Sequence, residues 1–542
     1  MLRLAVTGPA RAVAELRLRA AAGGPVATAT LAVLAAVILV LAVHLVVFLD
    51  YGLAVVRAPF GLDYGEGIVW QQAMLIPGAR MYGDITRYPF LVFHYPPVYH
   101  LVVHALVALG ADGLVAGRSV SLAASLATGA LLAALAAAAA GDEPRIARVA
   151  GGAVAGLGFF CLWPVVIWAP LMRVDMLALA LSFGGMLCAA HSTSRPWLLS
   201  LAMVLFVLAV FTKQTSIAAP LSTLPVMLLA TPRRTVRVCC LGLLLAVATL
   251  CAMTWVTQGG FVRHLLLYNL NRYTLSVAFQ LLATQMPQVV FLTLAAIALV
   301  DGWLRLTAGP AWGGLEPVRG GAAAFGQVLR RHEPTRLLAI LTLHAGFSTA
   351  MLVTLGKSGG SLNYMIEWMG VLVVLSGLLA ALVTGRALTA AWSQGGTARA
   401  VFGLLVAAAL LAQVTILPAV RDFGPETADT AQRLELEARI GRAVRPVLSD
   451  DMVLLMRAGV GVPWEPAIFA ELASTGRWDE GRIVAMIAEH RFAFVVTQGE
   501  PGERTFDSRY TPAVQHAITE AYPRTEAMGH YAIHLEANSD RD

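Results

Sequence analysis

The chain has 542 residues, 58% of them hydrophobic and 13% charged, where ordinary soluble domains carry roughly 25% charge. A mean hydropathy of +0.71, with apolar runs long enough for the ~30 Å hydrocarbon layer recurring between residues 29 and 420, excludes a soluble globular protein and indicates a multi-pass membrane protein. The formal net charge of +6 is unevenly divided, because residues 1–420 hold 26 Lys or Arg against 13 Asp or Glu and residues 421–542 hold 13 against 20; the basic excess belongs to membrane loops and gives no argument for nucleic acid.

The runs are rich in Leu, Ala, Val and Gly, which suits helices and not the alternating strands of a barrel. In chain order the predicted spans are 29–49, 118–140, 148–170, 174–190, 197–212, 214–230, 238–257, 286–303, 337–355, 365–385 and 400–419. Arg3, Arg11, Arg17 and Arg19 precede the first run and no small-residue cleavage site follows it, so it reads as a retained span. The first large loop covers residues 50–117. Within it "YPPVYHLVVHALVALG", residues 95–110, is short for a span and reads as an interfacial helix started by Pro96 and Pro97.

Eleven spans with the N-terminus inside gather 17 basic residues on one side, among them Arg145, Arg148, Arg233, Arg234, Arg319, Arg330 and Arg386, against 9 on the other. The positive-inside rule then places residues 421–542 outside. This tail is predicted to be a small α/β domain. "DMVLLM" (451–456) and "RFAFVV" (491–496) read as buried strands, and residues 464–474, 479–489 and 512–521 as helices, the last capped by Thr511 with Pro512 in its first turn. The five cysteines, Cys161, Cys188, Cys239, Cys240 and Cys251, lie in or beside apolar segments, which suggests neither a disulfide framework nor a metal cluster.

This topology assigns one set of polar residues to the exterior side: Asp63, Glu66, Asp84, Arg118, Arg173, Asp175, Lys213, His264, Arg272, Lys357 and Asn363. An ion in hydrocarbon costs on the order of 3 kcal/mol or more, so such groups sit at span ends, line a cavity or pair. In "DYGEG" the acids Asp63 and Glu66 are three residues apart and share a face if the segment is helical. They can take a proton from a hydroxyl, share a metal, or pair with Arg118 or Arg173. Arg118, Arg173, Lys213, Arg272 and Lys357 suit a lipid-linked phosphate at headgroup depth. In "MRVDM" Arg173 and Asp175 are placed to neutralise each other, whereas Lys213 in "FTKQTS" has no obvious local partner. "GKSGGSLNYMIE" lacks the spacing of a Walker loop and reads as a compact loop over a polar ligand.

Together, "DYGEG", "YGD", "YPPVYH", "GRSVS", "RVDMLALAL" and "FTKQTS" resemble the GT-C superfamily of polytopic glycosyltransferases, and the tail phrases "ELASTGRWDE" and "YTPAVQHAITEAYP" resemble bacterial members related to families 39 and 87. The resemblance implies an all-α polytopic membrane domain (1–420) with a C-terminal α/β domain (421–542) on the periplasmic side of a bacterial inner membrane. It implies a polyprenyl-phosphate sugar donor, a glycan, lipid or protein acceptor, and inversion at the anomeric carbon. Asp63 is then the first choice for general base, with Glu66 as metal ligand, orienting group or the base itself. Lys213, Arg173, Arg118, Arg272 and Lys357 are expected on the donor phosphate, and Asp84, Tyr95, His100, Asp175, His264, Asn363 and Tyr364 on substrate. No ligand spacing demands a cofactor, and a divalent metal is admitted. A transporter or flippase is the competing reading, disfavoured by charges gathered at one face and by the lack of an internal repeat; an envelope-assembly scaffold is the third.

Overall fold

A computed structural model describes residues 24–76, 78, 80–307, 321–389, 397–417, 420–421 and 429–537. The N-terminal arginines and Arg319, used above to set sidedness, lie outside these. Among the described residues seven helices are long and apolar enough to cross a membrane: Gly24–Arg57, Gly113–Ala139, Pro232–Val256, Met286–Thr307, Glu333–Gly356, Leu362–Leu388 and Ala398–Ile416. Four of the predicted spans take shorter forms. Residues 148–170 break into the helix Arg145–Gly158, a 3-10 turn at Phe159–Cys161 and the helix Trp163–Trp168. The break falls where Pro164, which has no amide hydrogen to donate, enters the first turn of the next helix. The other three are Asp175–His191, Trp197–Val210 and Ala218–Ala230.

The helix Ile366–Leu388 runs through the centre of the bundle and is buried along almost its whole length. It packs closely on Arg145–Gly158 because Gly151 and Gly377 face each other: a Cβ on either would strike the carbonyl of the other. Gly156 is pressed in the same way on Gly129 of Gly113–Ala139. Small residues that let backbones approach are the usual means by which membrane helices associate. By contrast Pro232–Val256 has 6% of its apolar window buried and turns most of its surface outward, to lipid in a membrane.

The short helix Val98–Ala108 occupies the segment expected at the interface. In the tail a four-stranded mixed sheet has the order β1 (Leu448–Ser449), β2 (Val495–Gln498), β4 (Tyr531–Leu535), β3 (Arg524–Met528), with β1 parallel to β2 and the other pairs antiparallel. The helices Pro466–Ser474, Gly481–Ala488 and Pro512–Ala521 match expectation, and Thr511 caps the last by accepting from the Val514 amide. The segment read as the strand "DMVLLM" is instead the helix Met452–Arg457: Asp451 accepts from the amides of Val453 and Leu454 and starts it. Strand β2 begins only at Val495, later than "RFAFVV" suggested.

The tail does not stand apart from the first loop. Ile85, Phe90 and Val92 of the loop share an apolar cluster with Trp464, Phe469, Trp478 and Ile483 of the tail. Polar contacts follow the same seam: the Phe90 amide donates to the Pro463 carbonyl (2.9 Å) and Trp478 Nε1 to the Ile85 carbonyl (3.2 Å).

Candidate active site

The helix Tyr64–Leu75 sets the two acids of "DYGEG" in opposite surroundings. Asp63 is its N-cap, in extended conformation, and its Oδ1 accepts from the Gly65 amide. Glu66 lies one turn in and faces the interior, with no exposed surface. Arg118 grips it through Nε to Oε1 and Nη2 to Oε2, both at 2.8 Å. The amides of Leu62 (2.8 Å) and Met172 (2.9 Å) complete its acceptor sites. Arg118 spends its remaining hydrogens on the carbonyls of Val55, Ala58 and Phe60. Burial pushes the Glu66 pKa up, but the Arg118 charge and these hydrogen bonds outweigh it and hold the carboxyl below its ordinary value. The expectation that Glu66 acts as base or metal ligand and Arg118 as phosphate ligand is corrected on this geometry: neither side chain has a free bonding direction, and neither has exposed surface.

Asp63 pairs instead with Arg173, whose guanidinium lies over Gly65 so closely that a Cβ there would collide with it. The Oδ2 of Asp63 takes no hydrogen bond among the described residues. Arg173 also stacks on Trp168, 5.1 Å from the ring centre. Burial opposes its charge, and Asp63, Tyr95 and Asp175 reverse that and hold it protonated beyond the usual range. Arg173 and Asp175 therefore do not neutralise each other in isolation. Asp175 takes Lys213 Nζ at 2.6 Å and Asn363 Nδ2 at 2.9 Å, so Lys213 has the partner its local sequence did not show. Lys213 further lies 4.8 Å from the Tyr364 ring centre.

A cavity of about 720 Å³ opens between the membrane domain and the tail, within the ~300–1,000 Å³ common for ligand pockets. Arg173, Lys213, Lys357 and Arg272 border it, together with Tyr95 and Tyr364. Lys213 and Lys357 are the only lysines in the sequence. Lys357 bonds Asn269 Oδ1, and burial, partly offset by Glu471, lowers its pKa to about 8. Arg272 is half-tied to Glu471 of the tail, Nη2 to Oε2 at 3.1 Å. Asp175 and Asn363 border a smaller pocket beneath Lys213.

Three expected substrate residues lie elsewhere. Asp84 is exposed in a turn, bonded to Thr86 and Arg87. His264 is buried and ties the first loop to residues 260–265, bonding the Phe93 amide (3.0 Å) and the Gly83 carbonyl (2.7 Å). His100 is buried against the Pro96 carbonyl. Sequence reading missed His94, Gln214, Tyr268 and Asn269, which border the cavity; the polar run "YNLNRY" inside an apolar loop was the available signal for the last two. It also missed the tail's share, including Glu471, Asp507 and Tyr510. Among the described residues no three His, Cys, Asp or Glu side chains converge as a metal site.

No family model and no curated protein matches the chain. Among solved structures, ArnT from Cupriavidus metallidurans bound to undecaprenyl phosphate is similar, with a TM-score of 0.51 at 16% identity over 93% of this chain and 98% of that one. The same protein in the apo state gives 0.49 at 16% identity, over 90% and 97%. The chain thus shares its fold with the undecaprenyl phosphate-bound ArnT structure, and at this identity the likeness shows the fold alone.

Proposed function

We propose that the chain is an inverting glycosyltransferase that moves a sugar from a polyprenyl-phosphate-linked donor to a hydroxyl of a glycan, lipid or protein acceptor. We place the reaction at the exterior face of a bacterial inner membrane, with the N-terminus cytoplasmic and the tail periplasmic. The observation that carries this reading is the contact of Asp63 with Arg173, which sets a carboxylate with one open oxygen beside a cavity bordered by four cations. The undecaprenyl phosphate held by the ArnT structure of the same fold supports the choice of donor class.

The chemistry follows from these groups. The acceptor oxygen attacks the anomeric carbon from the face opposite the phosphate, the bond from that carbon to the phosphate oxygen breaks with its electrons leaving on the phosphate, and the hydroxyl proton passes to Asp63. Arg173, Lys213 and Lys357 stabilise the charge that grows on the phosphate, and they do so without reorganising because Asp175, itself fixed by a hydrogen bond from Asn363, holds Lys213 and Asn269 holds Lys357. Glu66 and Arg118 serve as framework that fixes the first turn of the helix bearing Asp63.

The test is transfer of radiolabelled sugar from undecaprenyl phosphate by the purified full chain. Asp63→Asn is expected to lower the rate ~100-fold or more, the usual range for a general base, with folding intact. Unchanged transfer in this variant would reject the assignment.

A further inference from the structure

The first cavity opens between the membrane domain and the tail; a separate one, of about 360 Å³, lies at the opposite ends of the spans. Leu378 and Leu382 of the central helix border it, roughly 20–25 Å along the chain axis from Tyr364 at the first cavity, taking 1.5 Å per helical residue. Ala139, Leu306 and Leu338 add apolar wall from Gly113–Ala139, Met286–Thr307 and Glu333–Gly356. The ionisable groups on it, among the described residues, are Asp142, Glu143, Arg305 and His332, of which Asp142 is the most exposed.

These groups are incompletely matched. Arg305 is shared between two acids: its Nε donates to Asp301 Oδ2 (2.8 Å), and its Nη1 lies 3.5 Å from Glu143 Oε1. Its Nη2 makes no hydrogen bond among the described residues. Arg386 is committed to Asp301 (2.9 Å). Among the described residues Asp142 is bonded only to His332 Nε2 (3.1 Å), and the other nitrogen of that ring is taken by Thr335. Glu143 lies so close over Gly385 that a Cβ there would strike its Oε2. Burial keeps the Glu143 pKa above its ordinary value although Arg305 and Arg386 oppose this, as expected of an acid short of counter-charge. The helices Gly113–Ala139 and Met286–Thr307 both end at the cavity and add the partial negative charge of their C-termini, while Glu333–Gly356 begins there with the opposite sign. The site therefore offers both signs of charge above an apolar floor.

We propose that this cavity holds one phospholipid with a primary ammonium headgroup, phosphatidylethanolamine, with the ammonium between Asp142 and Glu143, the phosphate on Arg305, and an acyl chain along Leu306, Leu338, Leu378 and Leu382. Each part of the lipid answers one observation. A primary ammonium has three hydrogens to give to two carboxylates, whereas a choline headgroup has none. The free Nη2 of Arg305 suits a phosphate oxygen. A soluble amine would leave the four leucines uncovered, and burying apolar surface is what a chain adds. The lipid bridges four spans and takes no part in sugar transfer, so the site does not rest on the function proposed above.

The experiment titrates the delipidated, detergent-solubilised full chain with dioleoyl phosphatidylethanolamine, phosphatidylglycerol or phosphatidylcholine and counts bound lipid by native mass spectrometry. A single phosphatidylethanolamine is expected to bind ~5-fold or more tightly than either of the others. Glycerophosphoethanolamine, the same headgroup without chains, is expected to displace it only at ~100-fold higher concentration. Asp142→Asn and Glu143→Gln are each expected to weaken phosphatidylethanolamine ~5-fold or more while leaving phosphatidylglycerol within ~2-fold. Asp142 is exposed, so its variant keeps the test meaningful where Glu143→Gln fails to fold. Equal binding of the three lipids, as in an unselective annulus, displacement by the soluble headgroup at matching concentration, or wild-type preference in both variants would overturn the site.

Discussion

Asp63 and Glu66 are separated by a single helical turn, and that turn decides which of them is enclosed: Glu66 has no exposed surface, whereas Asp63 is partly exposed. Removing the Glu66 carboxylate strands the Arg118 charge in the interior, so Glu66→Ala is expected to lose ~3–5 kcal/mol of stability, the range for breaking a buried pair. Asp63→Asn, partly exposed at a cap, is expected to lose far less. Denaturation followed in detergent checks both. Because the folded pKa of Glu66 is depressed, the pair's contribution is complete above the ordinary carboxylate range and is lost only as pH falls through that lowered value. Lys357 behaves in the opposite sense. With a pKa near 8 in the unliganded protein, it sheds its charge between pH 7 and 9, so undecaprenyl phosphate affinity is expected to fall as pH rises through that interval. Lys357→Arg, charged throughout, is expected to flatten the profile measured by titration calorimetry.

At the level of elements, the Gly151–Gly377 crossing fixes the distance between the central helix and its neighbour. Gly377→Ala is expected to cost about 3 kcal/mol through overpacking against backbone that cannot give way. Gly346→Ala, where a Cβ meets nothing within 4 Å, is expected to stay within ~1 kcal/mol of wild type; thermal unfolding of the two variants side by side makes the comparison. The helices were legible in the sequence because span length and hydropathy are local properties. "DMVLLM" was not, since a six-residue apolar run carries no decisive period, and the informative residue was the cap, Asp451, in front of it. The cations of the site stood out against apolar flanks. Their partners did not, because the pairs Asp63–Arg173 and Lys213–Asp175 join residues 110 and 38 positions apart. Nothing local marked Glu66 as framework and Asp63 as accessible.

Over the whole molecule, the tail and the first loop are folded onto one apolar cluster, so the boundary drawn near residue 420 by charge is not a boundary of packing. Glu465 sits at that seam with no exposed surface; among the described residues it is bonded only to the Val92 amide, through Oε2, and its Oε1 has no partner. Burial raises its pKa to about 8. A raised folded pKa gives stability that is full below the unfolded value and is lost as pH climbs through the folded one. Glu465→Gln, which mimics the protonated acid, is therefore expected to raise the unfolding temperature at pH 8.5 and to change it little at pH 5. Equal shifts at both pH values would remove the ionisation from the account.

A chain of 542 residues with two lysines, both at the first cavity, carries its own reporter. Lys213 is clamped by Asp175 and stays an ammonium ion, whereas Lys357 offers a fraction of free amine near neutrality, so gentle acylation should mark residue 357 and little else beyond the N-terminal amine. A lysine-specific endoprotease applied after denaturation would leave three fragments in unmarked protein and two once Lys357 is acylated. The appearance of the joined fragment would then gauge, without any sugar substrate, how well a bound lipid phosphate shields that amine.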